Sequence, residues 1–106
     1  MLLLCANPSL RDALSELLEA DGIHVTARPR PGSGPPAVVI ADADAWPAAW
    51  DISRLRSSYR QVPCVVLSGS PLAGDFLVSR LQRGYFMQLP ARAAEILGLV
   101  GELVGG

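Results

Sequence analysis

The run Ala37-Val38-Val39-Ile40-Ala41-Asp42 contains no polar residue until it stops on a carboxylate. A strand that is apolar on both sides must be covered on both sides, so it belongs at the centre of a helix-sheet-helix sandwich. Asp42 then ends that strand at the sheet's carboxyl edge. In open parallel sheets this edge, near the point where strand order reverses, is where ligands and chemistry are normally found.

The rest of the chain supplies the elements such a strand needs. Leu2 to Cys5 reads as a short buried strand. Asn7 is a good N-cap, and Pro8 fits the first helical position. Leu10, Ala13, Leu14, Leu17 and Leu18 then recur at helical spacing until Gly22. Ile23 to Ala27 alternates and is β-branched, which predicts a second strand at the sheet edge, with His24 a solvated residue on it. Pro29-Arg30-Pro31-Gly32-Ser33-Gly34-Pro35-Pro36 cannot be helical. These eight residues reach roughly 25 Å when extended at about 3.1 Å each. They predict an extended strap where the second helix would lie, leaving part of one sheet face thinly covered.

Beyond the central strand, 43–47 reads as a loop, and Ala48, Ile52, Leu55 and Tyr59 mark a helix. Val62 to Leu67 is another apolar strand. Ser70 caps a helix opened by Pro71, with Phe76, Leu77 and Leu81 as its buried stripe and Gly84 as its stop. Tyr85 to Met87 gives a fifth strand, Leu89-Pro90 a turn, and Ala93, Ile96, Leu97, Val100 and Val104 the last helix. Five strands alternating with helices predict a doubly wound parallel α/β sheet.

Composition narrows the functions. The 106 residues read as a single domain over 1–106, half apolar and 18% charged, the balance of a folded chain. The apolar runs are strand-sized, well short of the roughly 20 residues of a membrane span. Met1 to Cys5 lacks the basic start of a signal peptide, so the expected location is cytoplasmic, with no membrane partner. Nine Arg and no Lys against ten acidic residues give a net charge of −1, which supplies no field for nucleic acid. Arg54, Arg56 and Arg60 on one helix and Arg80 and Arg83 on another read as solvated faces. Cys5 and Cys64 lack metal-ligand spacing and read as buried reduced thiols. No phosphate-cradling glycine motif follows the first strand.

The strand ends carry a more specific pattern. Asp42 closes the third predicted strand, Ser68-Gly69 closes the fourth, Leu4-Cys5-Ala6-Asn7-Pro8 with Leu10-Arg11 forms the first turn, and Leu89-Pro90 forms the fifth. From residue 1 to about 104 the chain resembles the receiver domain of bacterial response regulators. The resemblance implies a flavodoxin-like five-stranded sheet of order 2-1-3-4-5, with Asp42 equivalent to the phosphoacceptor. The same resemblance exposes departures. Receivers hold a divalent cation with an acidic pair at the end of the first strand, where this chain has Cys5 and Ala6. A neutral pair does not suit Mg²⁺, which wants hard oxygen ligands. Asn7 could offer an amide oxygen and Asp44 a second carboxylate, but neither matches the receiver arrangement. The lysine that receivers carry before the fifth-turn proline is Leu89.

Phosphoryl transfer is mostly positioning and charge neutralisation, so these replacements predict a degenerate receiver. Asp42 is then vestigial, with no catalytic residue, no cofactor and no metal. The pocket residues are Cys5, Ala6, Asn7, Asp44, Ser68 and Leu89. The leading expectation is a phosphorylation-independent protein-interaction domain that is not an enzyme, acting in a signalling assembly or as a homodimer. Its contact candidates are Trp46, Trp50, Phe86 and the surface from Leu72 to Val104. Two alternatives remain: a sensor holding a small molecule in the more apolar Cys5–Ala6 pocket, and a working Mg²⁺-dependent phosphoacceptor at Asp42.

Overall fold

The computed structural model describes residues 1–29, 32 and 34–105. Four parallel strands, β1 (Leu2–Leu4), β2 (Val39–Asp42), β3 (Cys64–Ser68) and β4 (Gly84–Gln88), lie side by side in the order β1-β2-β3-β4. Between and after them come α1 (Pro8–Ala20), α2 (Ile52–Ser58), α3 (Pro71–Val78) and α4 (Ala93–Gly105). The expected central strand is β2, buried along its whole length and paired on both sides.

The sheet has four strands rather than the five expected. The segment expected as the second strand, Ile23 to Ala27, does lie beside β1 on the edge away from β2, but it pairs only through a parallel bridge at Thr26. The reason is the shortness of its partner. β1 has three residues, and along the outer edge only Met1 and Leu3 turn their backbone groups outward. Thr26 N–H therefore donates to Met1 O at 2.9 Å, and Leu3 N–H to Thr26 O at 2.9 Å. The Met1 ammonium donates to His24 O at 3.0 Å, and the ladder goes no further.

Side-chain alternation sorts the core into two layers. Leu3, Ile40, Val65 and Leu67 point to one face, where Leu14 and Leu18 of α1 and Ile96 and Val100 of α4 cover them. Leu2, Leu4, Val39, Ala41 and Cys64 point to the other, where Leu55 of α2 meets them beside Trp46, Trp50 and Tyr59. No helix intervenes between α1 and β2 among the described residues. Pro29, Gly32 and residues 34–36 lie there outside any helix or strand, with Gly32 and Gly34 at positive φ; Arg30, Pro31 and Ser33 of the expected strap lie outside the described residues. A cavity of about 170 Å³ lies under it, between Leu2, Thr26, Pro36 and Tyr59.

Capping residues set the helix starts. Asn7 Oδ1 accepts from Ser9 N–H at 3.1 Å and Leu10 N–H at 3.4 Å, with Pro8 first in α1. Ser70 Oγ accepts from Ala73 N–H, with Pro71 first in α3. α2 begins later than Ala48 because Asp51 caps it, its Oδ1 accepting from Arg54 N–H at 2.8 Å. Ala13 and Val104, placed on buried stripes by spacing, are exposed instead. The stripe expected on α3 is also corrected. Phe76 is 56% exposed, Leu77 is half-buried, Leu81 lies beyond the helix, and the buried residue is Gly74. A methyl group at Gly74 would overlap the Phe86 ring of β4, so the backbone of α3 packs directly on that ring. Gly84 opens β4 rather than stopping α3, and a Cβ there would lie 2.9 Å from Val78 O.

Candidate functional site

The carboxyl ends of β1, β2 and β3 bring Cys5, Asp42, Asp44, Ser68 and Gly69 together. The parallel register of β1 on β2 runs Leu4 beside Ala41, which carries Cys5 beside Asp42 one step further on. Asp42 is 2% exposed, and both of its carboxylate oxygens are engaged. Oδ1 accepts the N–H of Asp44 at 3.0 Å, an Asx-type turn in which the side chain caps the backbone two residues on. Oδ2 accepts the Cys5 thiol at 3.4 Å. No arginine among the described residues forms an ion pair with it.

The thiol suits that role because it remains protonated. Burial pushes the Cys5 thiol up, a backbone contact with Asn7 pulls it down, and the charge and hydrogen bond of Asp42 push it up again. A neutral S–H beside a buried carboxylate donates a hydrogen bond, whereas an acidic side chain there would add a second negative charge. Cys5 and Cys64 are both buried and free.

Asp44 forms a second clasp. Its Oδ1 accepts from Ser68 Oγ at 2.8 Å, and its Oδ2 accepts from Gly69 N–H at 2.7 Å. Ser68 Oγ also accepts Ser70 N–H at 3.0 Å, so the fully buried hydroxyl uses both its donor and an acceptor site. Ala6 N–H donates to Ala45 O at 2.8 Å, closing the loop after β2 onto the end of β1. Leu89 N–H donates to Ser68 O at 2.9 Å, while its side chain packs against the α1–α4 core layer.

These bonds decide what the edge can hold. The receiver arrangement implies a divalent cation here, and the residues present do not fit one. Cys5 and Ala6 offer no carboxylate, the Asn7 amide oxygen caps α1, and the Asp44 carboxylate is committed to Ser68 and Gly69. Among the described residues, no three His, Cys, Asp or Glu side chains gather where they could hold a metal ion. The Gly69 amide is a partner at this edge that the sequence reading does not name. Its only signal is the Ser68-Gly69 step, which frees a backbone N–H at the strand end.

The aromatic contact candidates lie elsewhere. Trp50 stacks on Tyr59 with ring centroids 6.1 Å apart and planes 9° apart, and the Arg54 guanidinium covers the indole at 4.6 Å. Trp46 packs on the core layer beneath α2. Phe86 is half-buried under Gly74. The largest exposed apolar side chains are Leu72 and Phe76 of α3 and Val104 of α4, with the Arg80 guanidinium 4.5 Å from the Phe76 ring.

The fold is similar to that of response-regulator receiver domains. The receiver domain of NtrX from Brucella abortus matches with a TM-score of 0.80 over 98% of this chain and 97% of that one, at 16% identity. A receiver domain of a histidine kinase from Syntrophus aciditrophicus matches at 0.78, with 17% identity over 99% of this chain and 89% of that chain. Vibrio cholerae CheY4 matches at 0.73, with 18% identity over 96% of this chain and 95% of that chain. In a longer NtrX structure, the match covers 98% of this chain but 26% of the other. No protein-family model matches the sequence, and no curated protein matches it. No helix among the described residues is long and apolar enough to cross a membrane.

Proposed function

We propose that this receiver-like chain is a degenerate receiver, not an enzyme, that signals by protein contact without an acyl phosphate on Asp42. The observation that carries this reading is the state of Asp42: 2% exposed, one oxygen held by the Cys5 thiol and the other by the Asp44 amide. An acceptor carboxylate must present an oxygen to the donor phosphorus, in line with the leaving group, with positive charge close by. Here that oxygen is covered, and no arginine among the described residues forms an ion pair with Asp42. Incubation with Mg²⁺ and a small acyl phosphate donor should leave the intact mass unchanged. Addition of one phosphoryl group, lost in Asp42→Asn, would overturn the reading.

The contact surface proposed is the outer face of α3, β4 and α4, which carries Leu72, Phe76 and Val104. Isolated exposed apolar side chains are ordinary, but these occupy the region where receivers commonly dock partners. A protein partner in a signalling assembly or a second copy of the chain fits that face. Leu72→Glu with Phe76→Glu should abolish partner capture or self-association while the fold persists; retention of binding would move the contact elsewhere. The small-molecule reading draws no support from the Cys5–Ala6 edge, because the Cys5 thiol is turned onto Asp42 and the Ala6 backbone onto Ala45.

A further inference from the structure

At the opposite edge of the sheet, the fold converges positive charge. The register of β3 on β4 sets Cys64 beside Gly84, and Cys64 N–H donates to Arg83 O at 2.8 Å. That places Arg83 at the amino end of both strands. The turn after α2 brings Arg60 to the same end, and Arg56 follows from the last turn of α2. The three arginines, with Tyr59 and Gln82, wall a cavity of about 100 Å³ whose floor includes the buried Cys64, and no Asp or Glu lines it.

Three of the other arginines are already engaged. Arg11 pairs with Asp12 at 3.7 Å, Arg54 covers Trp50, and Arg80 covers Phe76. Arg83 uses Nη1 to donate to Gln61 O at 3.2 Å, which steadies the guanidinium and leaves the rest of its donor fork unused. Arg56 and Arg60 make no side-chain hydrogen bond or ion pair with any described residue. Three arginines line this recess and no acidic residue does, so an anion placed there is attracted by all three.

We infer that this recess binds a single phosphate-type tetrahedral oxyanion. Guanidinium forks match such oxygens two at a time, a geometry a single carboxylate satisfies for only one arginine. Size selects within the class. The recess has room for about three waters at ~30 Å³ each. That admits one tetrahedral oxyanion, and it falls well below the roughly 300–1,000 Å³ typical of sites that enclose a larger organic ligand. The site is independent of the reading proposed for Asp42 and lies at the other end of the strands, so either can fail without the other.

The test is an amide NMR titration of the full chain with inorganic phosphate at constant ionic strength, with acetate as a control. Phosphate should produce saturable shifts centred on 59–62 and 82–84, and acetate should leave these amides in place. Arg56→Gln with Arg60→Gln, both at exposed positions, should weaken phosphate binding at least about tenfold, the loss expected when charge-assisted hydrogen bonds are removed. The circular dichroism spectrum serves as the folding control. Shifts that rise linearly without saturation, an equal response to acetate, or unchanged affinity in the folded double variant would each overturn the inference.

Discussion

Cys5→Asp restores a carboxylate at the position where receivers carry one, and its consequence follows from the distances. The Cys5 Sγ lies 3.4 Å from Asp42 Oδ2, and Asp42 is 2% exposed. Two carboxylates about 4 Å apart at an effective dielectric near 20 repel by about 4 kcal/mol. That is a large share of the ~5–15 kcal/mol by which a domain of this size is normally stable. The repulsion vanishes when one of the pair is protonated, so the folded variant titrates above the unfolded Asp value of about 3.9. Stability tied to a raised carboxyl is fully present below the unfolded value and is lost as pH climbs through the folded one. Urea unfolding followed by Trp fluorescence should therefore show a deficit against wild type that grows from about 1.5 kcal/mol at pH 5 to about 2–4 kcal/mol at pH 8. The neutral variant Cys5→Ser should show a deficit that does not change over that range. Millimolar Mg²⁺ should narrow the gap for Cys5→Asp at pH 8, since a cation between two carboxylates replaces the missing proton, and should leave wild type where it was. A deficit independent of pH, or equal stabilisation of wild type by Mg²⁺, would refute the view that the thiol has replaced a charge here.

Asp44→Ala removes the acceptor shared by Ser68 Oγ and Gly69 N–H. A cost of about 1–3 kcal/mol is expected, with faster amide exchange at 43–45 and 68–70; protection equal to wild type would mean the clasp contributes nothing. Gly74→Ala forces the Phe86 ring aside. The overpacking cost of about 1–3 kcal/mol is partly offset by the helix preference of Ala, and Phe86→Leu should suppress it in a double-mutant cycle. Burial pushes the Cys64 thiol from 9.0 up to about 11, so the unfolded chain ionises first, and stability falls as pH rises between those values. The loss is up to about 3 kcal/mol, two pH units at roughly 1.4 kcal/mol each. Urea midpoints at pH 8 and pH 10.5 should show it in wild type, and Cys64→Val should shrink it.

What was legible in the sequence is what local chemistry and periodicity carry. Asn7-Pro8 and Ser70-Pro71 announce helix starts through the hydroxyl or amide oxygen and the ring that the first turn needs, and both stand as expected. The run ending at Asp42 is apolar on both faces because two helical layers cover it. The misreadings arise where a neighbour overrides the pattern. Ile23 to Ala27 has a strand's alternation, but the length of β1 limits its ladder. Phe76 sits at a plausible stripe position, yet Gly74 is the residue that meets the sheet, because Phe86 fills the space a side chain would need. At the site, the types at Cys5, Asp44 and Ser68 were readable. Their mutual bonds were not, because spacing alone does not say that Asp44 reaches across to β3 rather than toward a cation.

The packing of Gly74 on Phe86 also explains why α3 carries its large apolar groups on the outside. Residues two positions away on a helix are turned by about 200°, so burying position 74 turns positions 72 and 76 outward together. Leu72 at 83% exposure and Phe76 at 56% are the result. The same contact holds β4 against the helix, since the ring that fixes the face of α3 belongs to a residue paired in register with Val66 of β3. Those outward groups therefore sit on a helix seated on Phe86, which pairs with β3, whose last residue, Ser68, donates to Asp44. On the function proposed above, this apolar face serves constitutive docking, because its position is set by the packing of Gly74 on Phe86 and not by a modification of Asp42.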